Sequence, residues 1–209
     1  ISLNMSNLDL DDKVKLRNYF YTYGPSYYVW PFDVHLICLI TNKYIETDNS
    51  ITETDIVSLS ENYVNFNKAL DIFTPEFREK FKQKCITYGM QFAGRSNQHN
   101  LHELLHEKNY KSWDNYSLSI LFLRFISYLF GRGFNKSRFI IEYTKVLLYN
   151  ISPDSHDRFS TSETIKQISN FFSEKTSAEE LASLLNTIDV SPQEVVKTIT
   201  KDKLERISR

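Results

Sequence analysis

The chain has 209 residues, enough to bury a core, and its 25 Lys and Arg residues nearly balance 26 Asp and Glu residues. This balance excludes a protein whose overall charge selects nucleic acid or an anionic membrane as partner. Two separate cysteines, Cys38 and Cys85, indicate a reducing compartment, and without a signal segment or membrane-length apolar span we expect a soluble chain with no membrane insertion.

Helices are predicted along the whole chain, because apolar residues recur at spacings of three and four with only five Gly and five Pro between them. The first clear helix starts at Asp33. A second starts at Glu53 with Thr52 as its cap, and a third at Pro75 with Thr74 as its cap. The fold class is therefore mainly α.

The middle of the chain contains a predicted loop and the predicted core helix. Residues 93–100, AGRSNQHN, have loop composition, and a short helical piece is expected from His102. Residues 116–130 are apolar nearly all round, which predicts a helix buried on most sides. We expect this helix to be the axis of the core.

The C-terminal part reads as more helices and a small appendage. A stripe from Phe139 to Leu147 predicts one helix, and Ser160 with Glu163 has the spacing of a capping box for the next. Residues 173–209 contain two short amphipathic segments, 177–188 and 192–199, whose apolar faces need a partner because isolated helices of this length are marginal.

Residues 114–119, DNYSLS, resemble the D-x-W/Y-S-L-G motif that begins the central buried helix in the large lobe of protein kinases. The resemblance implies that Asp114 is an anchor, buried beneath the catalytic loop and accepting hydrogen bonds from the backbone of that loop. Ser119 replaces the Gly of the motif.

Residues 24–31, GPSYYVWP, resemble the end of a kinase activation segment, G-T-x-x-Y-x-A-P-E. Gly24, Tyr28 and Pro31 keep the family spacing, while Trp30 replaces Ala and a Phe stands where the family has Glu. Asp33 is one position further along, so the resemblance implies that Asp33 carries the displaced carboxylate.

Residues 147–158 resemble a third kinase pattern, L-L-x-x-x-P-x-x-R, with extra residues before both Pro153 and Arg158. In that family the Arg is a buried ion-pair partner. We therefore expect Asp33 and Arg158 to form a structural ion pair. A surface Arg beside the Ser160 cap is the alternative.

Possible regulatory and binding residues have plainer interpretations as well. Thr22 and Ser26 stand where activation-segment phosphorylation sites fall, and the tyrosines at 19, 21, 23, 27 and 28 are candidate modification or stacking groups. Such a tyrosine cluster is more often a packed surface with wet hydroxyls. The alternating basic residues from Arg78 to Lys84 are typical of a solvated helix face.

The resemblance as a whole is closest to divergent serine/threonine kinases of large DNA viruses. It implies the C-terminal part of a large lobe, with activation segment 1–33, insertion 41–111, core helices 112–172 and helical extension 173–209. ATP and Mg²⁺ would be bound only through upstream sequence, because no catalytic residue of the family is recognisable in this chain.

Two functions of this polypeptide follow from the resemblance. One is phosphoryl transfer from ATP to protein hydroxyls, with a protein substrate as partner. The other is a catalytically inactive kinase-like scaffold with a structural protein as partner. Neither uses nucleic acid. The expected location is the cytoplasm of an infected host cell, or the virion.

A different class of function is suggested by His102, Glu103 and His106, which form the pattern H-E-x-x-H. On a helix, the two His side chains at i and i+4 can hold Zn²⁺ while the Glu acts as general base of a metallopeptidase. A third protein ligand is required, and because no metzincin continuation follows, Glu142 is the residue that could be recruited. The alternative is a polar helix face.

Overall fold

The computed structural model describes residues 8–20, 24–131 and 137–173, together with residue 179. The chain divides into two units, Ile1–Ile168 and Ser169–Arg209. Its described part is mainly helical and contains no strand, which confirms the mainly α class. The α-helices, in chain order, are α1 (Lys13–Phe20), α2 (Phe32–Glu46), α3 (Glu53–Phe66), α4 (Pro75–Met90), α5 (Asn97–Leu104), α6 (Glu107–Tyr110), α7 (Trp113–Gly131), α8 (Arg138–Asn150) and α9 (Thr161–Ser173).

The starts of α3 and α4 follow from capping side chains that the sequence already shows. The Thr52 hydroxyl accepts a hydrogen bond from the backbone N–H of Asp55, and the Asp55 carboxylate accepts one from the backbone N–H of Thr52. These two reciprocal bonds form a capping box at the start of α3. At α4 the Thr74 hydroxyl accepts the Phe77 N–H, and Pro75 occupies the first turn. Both predicted helix starts are confirmed.

The core is formed where α2, α3 and α7 pack together. Phe32 of α2, Tyr63 of α3 and Tyr116 of α7 are all fully buried, and the rings of Phe32 and Tyr63 lie 5.3 Å apart. Residues 41–111, which the kinase resemblance implies to be an insertion, therefore supply part of the core. Burying a large aromatic side chain contributes about 1.5–3 kcal/mol, so these residues stabilise the domain itself.

The predicted loop over residues 93–100 is wrong in its second half, because α5 begins at Asn97. Two of the polar residues that suggested a loop, Asn97 and Asn100, are buried and bonded to backbone. Asn97 donates to the Asn49 carbonyl at 3.1 Å, and Asn100 donates to the Phe92 carbonyl at 2.8 Å. Composition does not distinguish a buried amide that satisfies a distant carbonyl from a solvated one.

The long helix α7 is the predicted core helix, but it is not buried on most sides. Its inner face, which includes Tyr116 and Ile120, is closed to solvent. Its outer face leaves Leu118 53% exposed and Leu121 56% exposed. The expectation failed because an all-apolar pattern reports what a helix could bury and not which neighbours are present.

The helices α8 and α9 have the predicted positions within the described residues. Ser137 caps α8 by accepting the Ile140 N–H, and Ser160 accepts the Glu163 N–H at the start of α9. The two amphipathic segments predicted within 173–209 lie outside the described residues. No helix in the described part is long and apolar enough to cross a membrane.

Candidate functional site

The structure brings Asp33 and Arg158 together in a buried ion pair, although 125 positions separate them in the chain. Asp33 lies in the first turn of α2, and Arg158 follows a short 3₁₀ turn, Ser155–Asp157. The Arg158 Nη2 to Asp33 Oδ1 distance is 2.9 Å, and both side chains are 0% exposed. The carboxylate at a helix N-terminus is also favoured by the helix dipole.

Every N–H donor of the Arg158 guanidinium is used. Besides Asp33, the guanidinium donates to the backbone carbonyls of Ser152 at 2.7 Å and Pro153 at 3.0 Å, and to the Ser112 hydroxyl at 3.0 Å. Its carbon lies 5.2 Å from the centre of the Tyr116 ring, within cation–π range. A planar fork with five donors is required for this arrangement, and a Lys could not provide it.

The carboxylate of Asp33 has a second partner that the sequence pattern did not suggest. The indole N–H of Trp113 donates to Asp33 Oδ2 at 2.8 Å. Arg158 Nη1 also donates to Asp33 Oδ2, at 3.4 Å. The first residue of α7 and the first turn of α2 are therefore joined to the loop after α8 at one point.

The electrostatics of Arg158 follow from its burial and from Asp33. Burial alone lowers the pKa of the guanidinium, but the carboxylate of Asp33 more than offsets this, so the pKa is raised above its ordinary value. The guanidinium is therefore charged at every physiological pH. A buried, fully bonded charge pair of this kind positions chain segments and does not exchange protons with a substrate.

The segment 24–31, which resembles the end of an activation segment, is held by side chains from three helices. His35 Nε2 lies 3.2 Å from the Tyr27 carbonyl. The Ser117 hydroxyl donates to the Val29 carbonyl at 2.9 Å, and the Tyr63 hydroxyl donates to the Trp30 carbonyl at 3.3 Å. These bonds fix the backbone of a stretch that is otherwise turns.

Within this segment the predicted residues differ in exposure. Tyr28 and Pro31 are buried, Gly24 is half-buried, and Ser26 is exposed and so accessible to modification. Thr22, the other candidate phosphorylation site, lies outside the described residues.

A buried pair of tyrosines lies beside the ion pair. The hydroxyls of Tyr63 and Tyr116 form a direct hydrogen bond, with one ring on α3 and the other on α7. Burial raises the pKa of the Tyr116 phenol well above its ordinary value, and it raises that of Tyr63 for the same reason. Both phenols remain neutral and act as hydrogen-bonding contacts between the two helices.

The residue that replaces the motif Gly, Ser119, belongs to a polar network between α7, α8 and α9. Its hydroxyl donates to the Asn115 carbonyl at 2.8 Å and accepts the Asn150 side-chain amide at 3.0 Å. Thr164 donates to Asn150 Oδ1 at 3.1 Å and accepts from Asn115 at 3.0 Å. A Gly at this position would leave the Asn150 amide without its buried partner.

Asp114 lies in the first turn of α7, next to Trp113, and is exposed. The resemblance implied a buried carboxylate beneath a catalytic loop, and such a loop is not among the described residues. Asp114 is therefore exposed where the resemblance implied a buried carboxylate, and its role as an anchor stays a prediction.

The H-E-x-x-H residues do not share one helical face, because α5 ends at Leu104, before His106. Glu103 accepts from Arg95 at 2.7 Å and lies 3.7 Å from His99 Nε2. Glu142, considered as a third ligand, pairs with Lys145 at 2.7 Å. Among the described residues, no group of three or more His, Cys, Asp or Glu is placed to hold a metal ion.

Sequence reasoning missed Trp113, Ser112 and Tyr63 as parts of this site. The sequence contained a signal for Trp113, because a Trp beside a buried helix start needs an acceptor for its indole N–H. No local pattern could indicate Tyr63, whose partner is 53 positions away.

No protein-family model, curated protein or solved structure matches this chain.

Proposed function

We propose that this chain is the C-terminal part of the large lobe of a serine/threonine protein kinase-like protein of a large DNA virus. The observation that carries the proposal is the buried Asp33 and Arg158 pair. It joins a segment resembling the end of an activation segment to a loop resembling the region of the kinase Arg.

The contacts around the pair support a role in holding protein substrate. The segment 24–31 is fixed by His35, Tyr63 and Ser117, while Ser26 within it stays exposed. In a kinase large lobe this is the region that supports the substrate chain. With upstream catalytic residues present, ATP and Mg²⁺ would supply the phosphoryl group to a protein hydroxyl.

The test is phosphoryl transfer by the polypeptide of the complete reading frame that contains this chain. Incubation with γ-labelled ATP, Mg²⁺ and a mixed Ser/Thr protein substrate is expected to label the substrate. The Arg158→Ala variant is expected to lose most of this labelling, because Asp33, which closely follows the segment 24–31, loses its buried cation and the first turn of α2 is no longer joined to the loop after α8.

A catalytically inactive scaffold is the second candidate, and Phe32 is the observation that favours it. This residue is fully buried where the family has a Glu, and the acid has moved by one position. A complete polypeptide that neither binds ATP nor transfers phosphate, yet co-purifies with virion proteins, would identify a scaffold. A site in an infected cell's cytoplasm or the virion suits either function.

A further inference from the structure

His35 holds residues 24–31, named here the tethered segment, through one side of its ring only. The side chain is fully buried, and its Nε2 lies 3.2 Å from the Tyr27 carbonyl oxygen. A carbonyl only accepts hydrogen bonds, so Nε2 carries the ring proton and Nδ1 has the lone pair. Nδ1 is also buried, and it has no hydrogen-bond partner among the described residues. The neutral imidazole is therefore bonded to the tethered segment on one side and closed to water on the other.

The groups around His35 supply no anion that could balance a second ring proton. On α2 the acid that acts on the ring is Asp33, whose carboxylate is already bonded to Arg158. The ring of Tyr63 on α3 lies 5.1 Å away, and burial raises the pKa of its phenol and that of Tyr116 on α7, so both stay neutral. The tethered segment itself contains no acidic or basic residue. A protonated ring would therefore be a buried cation with an unused Nδ1–H donor, which costs free energy.

The cost of this second proton makes the closed arrangement sensitive to pH. Burial is the largest influence and lowers the pKa of His35 from 6.5 to about 4. The carbonyls of Tyr27 and Trp30 and the carboxylate of Asp33 act in the opposite direction and offset burial only in part. In an opened state that hydrates the ring, the pKa returns to 6.5. Such an opening is therefore favoured about 30-fold more at pH 5 than at pH 7.5.

The tethered segment is the part that can open at the least cost, because it contains no helix or strand. Besides His35, the hydroxyls of Tyr63 and Ser117 bond its backbone carbonyls. The side chain of Tyr27 within it is already 52% exposed. The helices are joined independently of it, α2 to the loop after α8 by the Asp33 carboxylate and α3 to α7 by the Tyr63 hydroxyl. The segment can therefore leave without breaking the contacts that hold the helices together.

We propose that His35 is an acid-sensitive latch. When its ring takes up a proton, the tethered segment is released from α2 while α2, α3 and α7 stay folded. This regulation goes beyond the proposed kinase-like function and does not depend on it, because it uses only contacts within the chain.

The test is amide hydrogen exchange of the full chain at pH 7.5 and at pH 5, corrected for the intrinsic exchange rate at each pH. The Tyr27 N–H is bonded to the Gly24 carbonyl at 2.8 Å and the Trp30 N–H to the Tyr27 carbonyl at 3.1 Å, so both amides report opening of the segment. Their protection in the wild type is expected to be about 30-fold lower at pH 5. Amides at the buried centre of α7 should keep at least about a hundredfold more protection at both pH values.

The His35→Gln variant removes the titrating group. Gln can still donate to the Tyr27 carbonyl, so protection of the tethered segment is expected to change by less than about twofold between the two pH values. The matched control is His99→Gln, which removes an exposed imidazole on α5 and should respond to pH as the wild type does. Thermal unfolding at pH 7.5 shows whether each variant is folded.

A second variant, Ser117→Ala, keeps His35 and removes the hydroxyl that donates to the Val29 carbonyl. Opening of the segment should increase by the same factor at both pH values, so the ratio between them stays about 30-fold. The wild type and this variant test the latch even where His35→Gln does not fold. Equal protection in the tethered segment and in α7, a wild-type ratio near one, or an unchanged ratio in a folded His35→Gln variant overturns the proposal.

Discussion

Arg158 is the residue on which the contacts of the candidate site converge, because its guanidinium reaches Asp33, Ser112 and two backbone carbonyls. A fully buried charge pair contributes little net stability, since desolvation offsets the attraction. Removing one partner is different because the other charge stays behind in a site closed to water.

The first prediction is that Arg158→Ala lowers the free energy of unfolding by about 3–5 kcal/mol, because Asp33 is left buried without its cation. Urea unfolding of the full chain, followed by circular dichroism, measures the change. Lys166→Ala is the control: it removes an exposed cation on α9 and should change stability by no more than about 0.5 kcal/mol.

A double variant separates the lone charge from the lost contacts. Asp33→Leu with Arg158→Met removes both charges, and it should be less destabilising than Arg158→Ala alone. A double variant that costs as much as the two single changes added together would mean that the buried charge is not the cause.

The second prediction concerns His35, which is fully buried next to the Tyr27 carbonyl. Burial lowers the pKa of this imidazole from 6.5 to about 4. Between these two pH values the imidazole is protonated in the unfolded chain but not in the folded chain. The free energy of unfolding is therefore at its full value above pH 6.5 and decreases as the pH falls toward 4. The loss should reach roughly 2–4 kcal/mol.

Urea titrations at a series of pH values between 6.5 and 5 measure this loss. The His35→Gln variant, which keeps a donor but does not titrate, should show a flatter stability profile across that interval. If the wild type and the variant lose stability in parallel, His35 is not the group that titrates.

At the scale of single elements, the helix starts depend on side-chain caps to different degrees. At the start of α3, the Thr52 hydroxyl and the Asp55 carboxylate each accept a backbone N–H of the other residue. The residue before α5, Ser96, has no side-chain cap bond. The same type of change at the two positions therefore has different consequences.

The third prediction is that Thr52→Ala destabilises the chain by about 1 kcal/mol, whereas Ser96→Ala changes stability by only a few tenths. Thermal unfolding of the two variants beside the wild type measures the difference. Equal effects would show that helix propensity, and not the cap, determines the cost.

How far the sequence predicted each element depended on whether the signal was local. The starts of α3 and α4 were predictable because cap and helix are adjacent in the chain. The start of α5 was not, because Asn97 and Asn100 are bonded to carbonyls of Asn49 and Phe92 that composition cannot reveal. The prediction that α7 is buried on most sides was wrong for a similar reason, since the exposure of its outer face depends on which other elements pack against it.

The residues of the candidate site were also predictable only in part, because their partners are far away in the sequence. Asp33 and Arg158 could be paired in advance only through a family resemblance that relates distant segments. Trp113 and Tyr63 were missed because hydrogen bonds across 80 and 53 positions leave no periodic trace in the sequence. The resemblance thus located the ion pair, but the structure was needed to find what surrounds it.

At the scale of the whole molecule, the outer surface of α7 shows where another segment could pack. Asp114 begins α7 and is exposed, and the apolar side chains of Leu118, Leu121 and Phe125 on the same helix are also exposed. In the large lobe of a protein kinase, the catalytic loop lies over the start of the central helix, which residues 114–119 resemble in sequence. If the proposed kinase-like function holds, we therefore predict that a catalytic loop covers Asp114.

The measurement that tests this most directly is a crystal structure of the polypeptide of the complete reading frame. From the proposed function we expect the Asp114 carboxylate to accept hydrogen bonds, at about 2.9 Å, from backbone N–H groups of a catalytic loop. The Asp33 and Arg158 pair should be retained in the same structure. An Asp114 carboxylate that stays in solvent, or an Asp33 and Arg158 pair that is broken, would contradict the proposed kinase-like function.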